Sequence, residues 1–241
     1  MPANTLNQYI AQIQSLLDDA AAAQYTTANL TTFINDARLQ IAGSSESVRR
    51  LATLNFINGT QSYAYSTFTG LTADVQGVLS VRKGRVQVSG VWQEIVSREW
   101  EWFFSYLLNG SAAAATGAPA TFAEQVPGVS GILYVNPIPN AALVSSFDCV
   151  CYPIALASNG DPEAIPYPWT EAIQYFAAYL AYLSVQRMAD ADKMFQRYML
   201  FETRGTQLAT PTVTPAQQVG GAGASRAAQQ MPIAAPRGQG R

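Results

Sequence analysis

The chain has no histidine, and only 12% of its 241 residues are charged. Without an imidazole there can be no Ser-His-Asp triad, no Cys-His pair and no histidine base. There are two cysteines, Cys149 and Cys151. At i and i+2 of an extended strand they share one face about 7 Å apart, too far for a relaxed mutual disulfide. With no histidine and no third cysteine, zinc has no ligand set, so both read as small buried apolar residues. No G-x-x-x-x-G-K-[ST] loop occurs, and no glycine-rich dinucleotide fingerprint follows a predicted strand. No cofactor or metal is expected. No window reaches the ~18 to 20 apolar residues of a membrane span. The N-terminus, MPANTLNQYIAQ, lacks the basic start and apolar run of a signal peptide, so folding in the cytoplasm is expected.

Apolar residues make up 49% of the chain, enough for a core. The charged fraction is about half the ~25% of an ordinary soluble domain. Such a chain either hides surface against partners or relies on Ser, Thr, Asn and Gln for solubility. Net charge is −2. The basic cluster Arg82, Lys83 and Arg85 reads as a hairpin turn, so phosphate-neutralising nucleic-acid binding is not expected. DNA could still slide past a neutral or acidic wall.

Residues 4–23 pattern as an amphipathic helix, with Leu6, Ile10, Ile13, Leu17 and Ala20 on one stripe. Thr26 or Thr27 can cap a second helix that runs to Ala42, with Leu30, Phe33, Ile34, Ala37 and Ile41 facing inward and Gly43 as its stop. The period then changes. Asn58-Gly59 between Leu51–Ile57 and Gln61–Phe68 predicts a hairpin, and Lys83-Gly84 between Val78–Arg82 and Arg85–Ser89 predicts another. A short aromatic helix follows Ser97. Gly131–Val135 and Ser146–Tyr152 read as strands around the turn Asn136–Asn140. Trp169–Thr203 contains neither Gly nor Pro and predicts one helix of ~50 Å, with Gly205 closing it. Beyond it the chain is rich in Gly, Ala, Pro, Gln and Thr and cannot build a core. The expected fold is α+β, mainly a helical bundle. Its parts are an N-terminal helical hairpin over 1–45, an inserted β-region with a short aromatic helix over 46–160, a long C-terminal helix over 161–205, and an extended arm over 206–241.

Candidate chemistry is thin. Glu99 and Glu101 lie among aromatics and raise a carboxylate glycoside hydrolase with a sugar cleft. On a helix, however, i and i+2 face different ways. Arg187, Asp190, Asp192 and Lys193 form a charge group that reads as an ion-pair cluster, since a metal would need further converging oxygens. Within the long helix, Ile173, Phe176, Ala177, Leu180 and Leu183 make one stripe and Tyr175, Tyr179 and Tyr182 a second. A helix apolar on two sides must bury both. The second side meets either a neighbouring subunit or the rest of its own chain. Residues 1–202 hold 10 basic and 16 acidic residues, while Arg204, Arg226, Arg237 and Arg241 follow with no acidic residue after Glu202. That basic end is either a solvated remnant or an arm that orders on a partner.

The segment Ile165–Arg204 resembles the C-terminal helix of tailed-phage head-to-tail adaptors, the tail accessory proteins of the P22-like podophage type. The matching pieces are Pro166 to Trp169, Tyr175–Leu183 and ADADKMFQRY at Ala189–Tyr198. Upstream, FINDARLQIA at Phe33–Ala42 is similar to the family's second helix, and ILYVNPIPNAALV at Ile132–Val144 to its strand–turn–strand segment. The resemblance implies a structural virion protein at the head–tail interface and not an enzyme. It implies a homo-oligomeric ring, a dodecamer, under the portal protein, in contact with tail or nozzle proteins. Genomic DNA would pass through the lumen unbound, and no membrane is involved. On this reading Tyr175, Tyr179, Tyr182, Arg187 and Asp190 meet the neighbouring subunit, and Arg204, Arg226, Arg237 and Arg241 belong to a portal-binding arm. The alternatives are a tail-completion or connector ring of a long-tailed phage and, from another class, a virion-associated peptidoglycan hydrolase using Glu99 or another carboxylate.

Overall fold

A computed structural model describes residues 4–19, 23–105, 115–128 and 130–209. The first two helices form on the predicted apolar stripes, α1 at Leu6–Leu17, shorter than 4–23 and with Ala20 outside the described residues, and α2 at Thr27–Ser45, which runs through Gly43 and ends at the left-handed Glu46 instead. Thr5 caps α1 in a reciprocal pair with Gln8, and the Thr26 side chain accepts from the Asn29 N–H to cap α2. Then come β1 (Arg49–Phe56), β2 (Ser62–Ala64), β3 (Val75–Val88), β4 (Val91–Ser97) and a short α3 (Trp100–Phe103). Next are β5 (Thr116–Gly117), β6 (Thr121–Glu124), β7 (Ile132–Asn136), β8 (Ile138–Pro139) and β9 (Leu143–Pro153). Two helices complete the fold, α4 (Thr170–Ser184) and α5 (Met188–Ala209).

The fold is not the mainly helical bundle that the sequence suggests. Seven strands form one sheet in the order β1-β9-β3-β4-β6-β7-β2, β5 and β8 pair separately, and the structure is 40% helix and 30% strand. The sheet curls. Its end strands, β1 and β2, come from adjacent stretches of chain, and Thr53 of β1 exchanges backbone hydrogen bonds with Thr69, just beyond β2. Register shifts in the β3–β9 ladder at Val75/Gly77, Val78/Ser80 and Val81/Lys83 supply the bending. The closed-in face holds an aromatic core of Phe56, Tyr63, Tyr65, Phe68, Phe122 and Phe147.

Both predicted hairpins differ from what forms. Asn58-Gly59 does turn, with Gly59 at φ 76°, but the strands on either side pair elsewhere, β1 with β9 and β2 with β7. Lys83-Gly84 lies within the continuous strand β3. The true turn is Ser89-Gly90, with φ 49° and 84°, as a tight two-residue hairpin requires. Gly84 is there for space. A Cβ at that position would overlap the Phe147 ring.

The single long C-terminal helix also gives way. Val185–Arg187 breaks it, with Gln186 at φ 61° and the Arg187 N–H donating back to the Tyr182 carbonyl at 3.0 Å. Helix α5 therefore folds back along α4. Gly205 does not end the helix. It is buried inside α5, where a Cβ would stand 2.8 Å from Cδ1 of Trp169. In an open helix Gly→Ala gains up to about 1 kcal/mol. Here the added methyl meets a rigid, buried indole. Gly205→Ala is therefore expected to lower the Tm, and chemical denaturation of the two proteins side by side checks the sign.

A buried ion pair joins α2 to the connector that follows β9. The side chains of Arg38 and Glu163 are 1% and 0% exposed, and Arg38 Nη2 lies 2.9 Å from Glu163 Oε1. Glu163 also accepts from the Tyr9 hydroxyl at 3.1 Å and the Ile165 N–H at 3.0 Å. Arg38 donates further to the Ile154 carbonyl and to Asn35 Oδ1. Together these bonds fasten the connector between β9 and α4 onto α1 and α2.

Candidate functional site

The α4–α5 hairpin carries most of the residues singled out in the sequence. Because α5 returns along α4, the tyrosine stripe meets the chain's own helix. Tyr175 stacks on Phe201 at 4.8 Å and 20°, Phe176 meets Tyr198 at 4.8 Å, and Tyr179 meets Phe195 at 5.2 Å. Tyr182 is buried and donates to the Leu16 carbonyl at 3.1 Å, tying the hairpin to α1. Tyr175 and Tyr179 remain half-exposed along one edge of this seam.

At the hairpin tip the Arg187 guanidinium lies 4.9 Å over the Tyr182 ring and 2.5 Å from Asp190. Lys193 holds the other oxygen of Asp190 at 3.1 Å. Hydrogen bonds from Lys193 and Arg187 hold the Asp190 carboxyl below the usual carboxylate range. The cluster is thus satisfied within itself, and it faces outward. Asp192 is exposed on the next turn and is not in these pairs.

Helix α5 presents large apolar side chains outward. Met188, Phe195 and Met199 line one flank, beside the half-exposed Tyr179, and Leu200 and Leu208 stand elsewhere on the helix. This surface was not read from the sequence. The sign of it was there, since a stretch apolar on two sides and dotted with Lys193, Arg197 and Arg204 cannot bury every face. Arg204 lies within α5 and is exposed, while Arg226, Arg237 and Arg241 fall outside the described residues.

The other candidates are placed as follows. Glu99 immediately precedes α3 and Glu101 sits in its first turn, both exposed. Cys149 and Cys151 are buried on β9, and burial pushes the Cys151 thiol up to about 11. Glu124, which the sequence did not single out, accepts from the Tyr65 hydroxyl and the Val81 N–H and so pins β6 to β3. Burial pushes its carboxyl above the usual range. A cleft of about 450 Å³ opens between α1 and the start of α4, lined by Gln12, Glu163, Tyr167 and Glu171 among others, but Arg38 already takes the Glu163 carboxylate. No described helix is long and apolar enough to cross a membrane. Among the described residues no group of three or more His, Cys, Asp or Glu could hold a metal ion.

What this arrangement offers is surface: an apolar flank, a charged hairpin tip, and a helix that leads directly into residues 210–241. Comparison with known proteins agrees with that character. No curated protein matches the chain. The family model described as SU10 adaptor protein matches residues 4–220, nearly the whole sequence. The chain belongs to the SU10 adaptor protein family, and is thus a structural phage protein of the head–tail junction.

Proposed function

We propose that the protein forms a homo-oligomeric ring, a dodecamer, that docks under the portal of a P22-like, short-tailed virion, extends the DNA channel and carries the tail or nozzle proteins. The match to the adaptor family over residues 4–220 is the observation that carries this reading. The sparse charge and the outward apolar residues of α5 support it, because a subunit meant to stay monomeric gains nothing from them. The subunit interface runs along the half-exposed edge of the aromatic seam at Tyr175 and Tyr179, and over the hairpin tip at Arg187 and Asp190. Tyr182 holds the hairpin in place behind that edge. The arm, including Arg226, Arg237 and Arg241, grips the portal, and Arg204 begins it from the helix. The lumen is neutral or acidic, so DNA slides without sticking.

Mass measurement tests the proposal. The protein mixed with purified portal protein is expected to give a complex with many adaptor copies per portal ring, and cryo-EM of virions should place it directly beneath the portal. A chain that stays monomeric both alone and with portal would overturn it.

A further inference from the structure

Helix α5 has another outward face, separate from the flank of Met188, Phe195 and Met199. Lys193, Arg197, Leu200 and Arg204 succeed one another at steps of four, three and four residues, so they stand in one row along the helix. All four are exposed. Leu200, between the two arginines, is 67% exposed, more than any other large apolar side chain among the described residues. Lys193 is engaged by Asp190. Arg197 and Arg204 are not engaged. Among the described residues, every other arginine meets either a carboxylate (Arg38, Arg49, Arg50, Arg82, Arg187) or an indole ring (Arg85 over Trp92, Arg98 near Trp102). The two uncommitted guanidiniums therefore share one helix face, about 10 Å apart along the axis, with a bare leucine between them. In the sequence, residues 210–241 follow this helix and hold Arg226, Arg237 and Arg241 and no acidic residue.

We infer that the Arg197–Leu200–Arg204 face of α5 is a docking surface for an acidic protein surface on the portal, one that presents carboxylates on either side of an apolar recess. The inference rests on the adaptor reading and extends it, since it places the start of the portal contact on the folded helix, before the arm begins. Charge decides the class of partner, because two arginines without carboxylates attract anionic groups. Leu200 decides between a protein and a nucleic acid. Phosphates would use the arginines and leave the leucine in water, whereas a protein surface can bury it at the centre of a polar rim. Continuity in sequence with the arm makes the portal the partner, since residues 205–241 add three arginines and no acidic residue.

The test uses the full chain and purified portal protein as the probe, titrated at low and high salt. Arg197→Glu/Arg204→Glu is expected to weaken binding roughly tenfold or more and to flatten its salt dependence. Leu200→Ser is expected to weaken binding several-fold with the salt dependence retained. Arg197→Gln/Arg204→Gln serves as the milder charge variant, and unchanged circular dichroism verifies folding for each. Arg226→Gln/Arg237→Gln/Arg241→Gln, in the same full chain, reads the arm by itself. If the arm variant loses portal binding while both helix-face variants bind as wild type, the inference is overturned and the docking reading stands. If wild type itself does not bind portal, the docking reading fails and takes the inference with it. If the helix-face variants keep portal binding but lose duplex DNA, or change the mass of the free protein, the face belongs to nucleic acid or to a second copy, and the inference is overturned.

Discussion

Replacing Arg38 by methionine is expected to destabilise the protein by about 3–5 kcal/mol, the range for removing one partner of a buried ion pair. The methionine fills much of the arginine's volume, so little of the loss comes from packing. The loss comes from the Glu163 carboxylate, which is fully enclosed and would be left with only the Tyr9 hydroxyl and the Ile165 N–H as donors. The Ile154 carbonyl loses its donor as well. The effect should reach beyond α2, because Glu163 sits in the connector that carries α4 and α5. Urea denaturation of Arg38→Met, Glu163→Gln and the double Arg38→Met/Glu163→Gln protein checks this. The double variant is expected to be less destabilised than the sum of the singles, since it no longer buries a lone charge. Equal and additive losses would mean that the pair contributes packing alone.

Phe147→Ala is expected to cost about 3–5 kcal/mol, as large-to-small changes do when neighbours cannot collapse into the space. Phe147 has no exposed surface, and three rings surround it, Phe68 at 5.5 Å, Phe122 at 5.8 Å and Phe56 at 6.2 Å. These rings come from β1, β6 and the stretch after β2, which are held apart by the curl of the sheet. The backbone of Gly84 closes the remaining side. The helical layer should survive better than the sheet, so near-ultraviolet circular dichroism should lose more signal than the helical band in the far ultraviolet. Filling the space from the other side, with Gly84→Val, should be comparably damaging, because its methyl groups would need the volume that the Phe147 ring occupies.

The parts of this fold that were legible in the sequence are those set by nearest neighbours along the chain. The stripe Leu6, Ile10, Ile13 and Leu17 gave α1, and Thr26 followed by Leu30, Ile34 and Ile41 gave α2, because helix period and capping are local properties. Arg38 shows how such a reading stops short. It lies on the buried stripe itself, four residues after Ile34 and three before Ile41, and a charge in that row signals a buried partner. The partner, Glu163, is 125 residues away, and no local pattern could name it.

Glycine marked something real at three places, but the sequence did not say what. At Gly59 it marked a turn, at Gly84 a ring pressed against a strand, and at Gly205 an indole pressed against a helix. The candidate surface was half visible in the same way. Two greasy sides on Trp169–Thr203 announced two partners, and the hairpin at Gln186 made α5 one of them.

By itself, then, the sequence determined the first two helices and the want of a histidine-based chemistry, since composition, period and capping act over a few residues, and its segments such as Ile165–Arg204 carried the likeness to head-to-tail adaptors. Tertiary structure alone decided that the strands curl into one seven-stranded sheet, that the last helix is two, and which faces of it remain uncovered. Strand partners and helix reversals are chosen by burial among distant segments, and that competition is settled only when the whole chain packs.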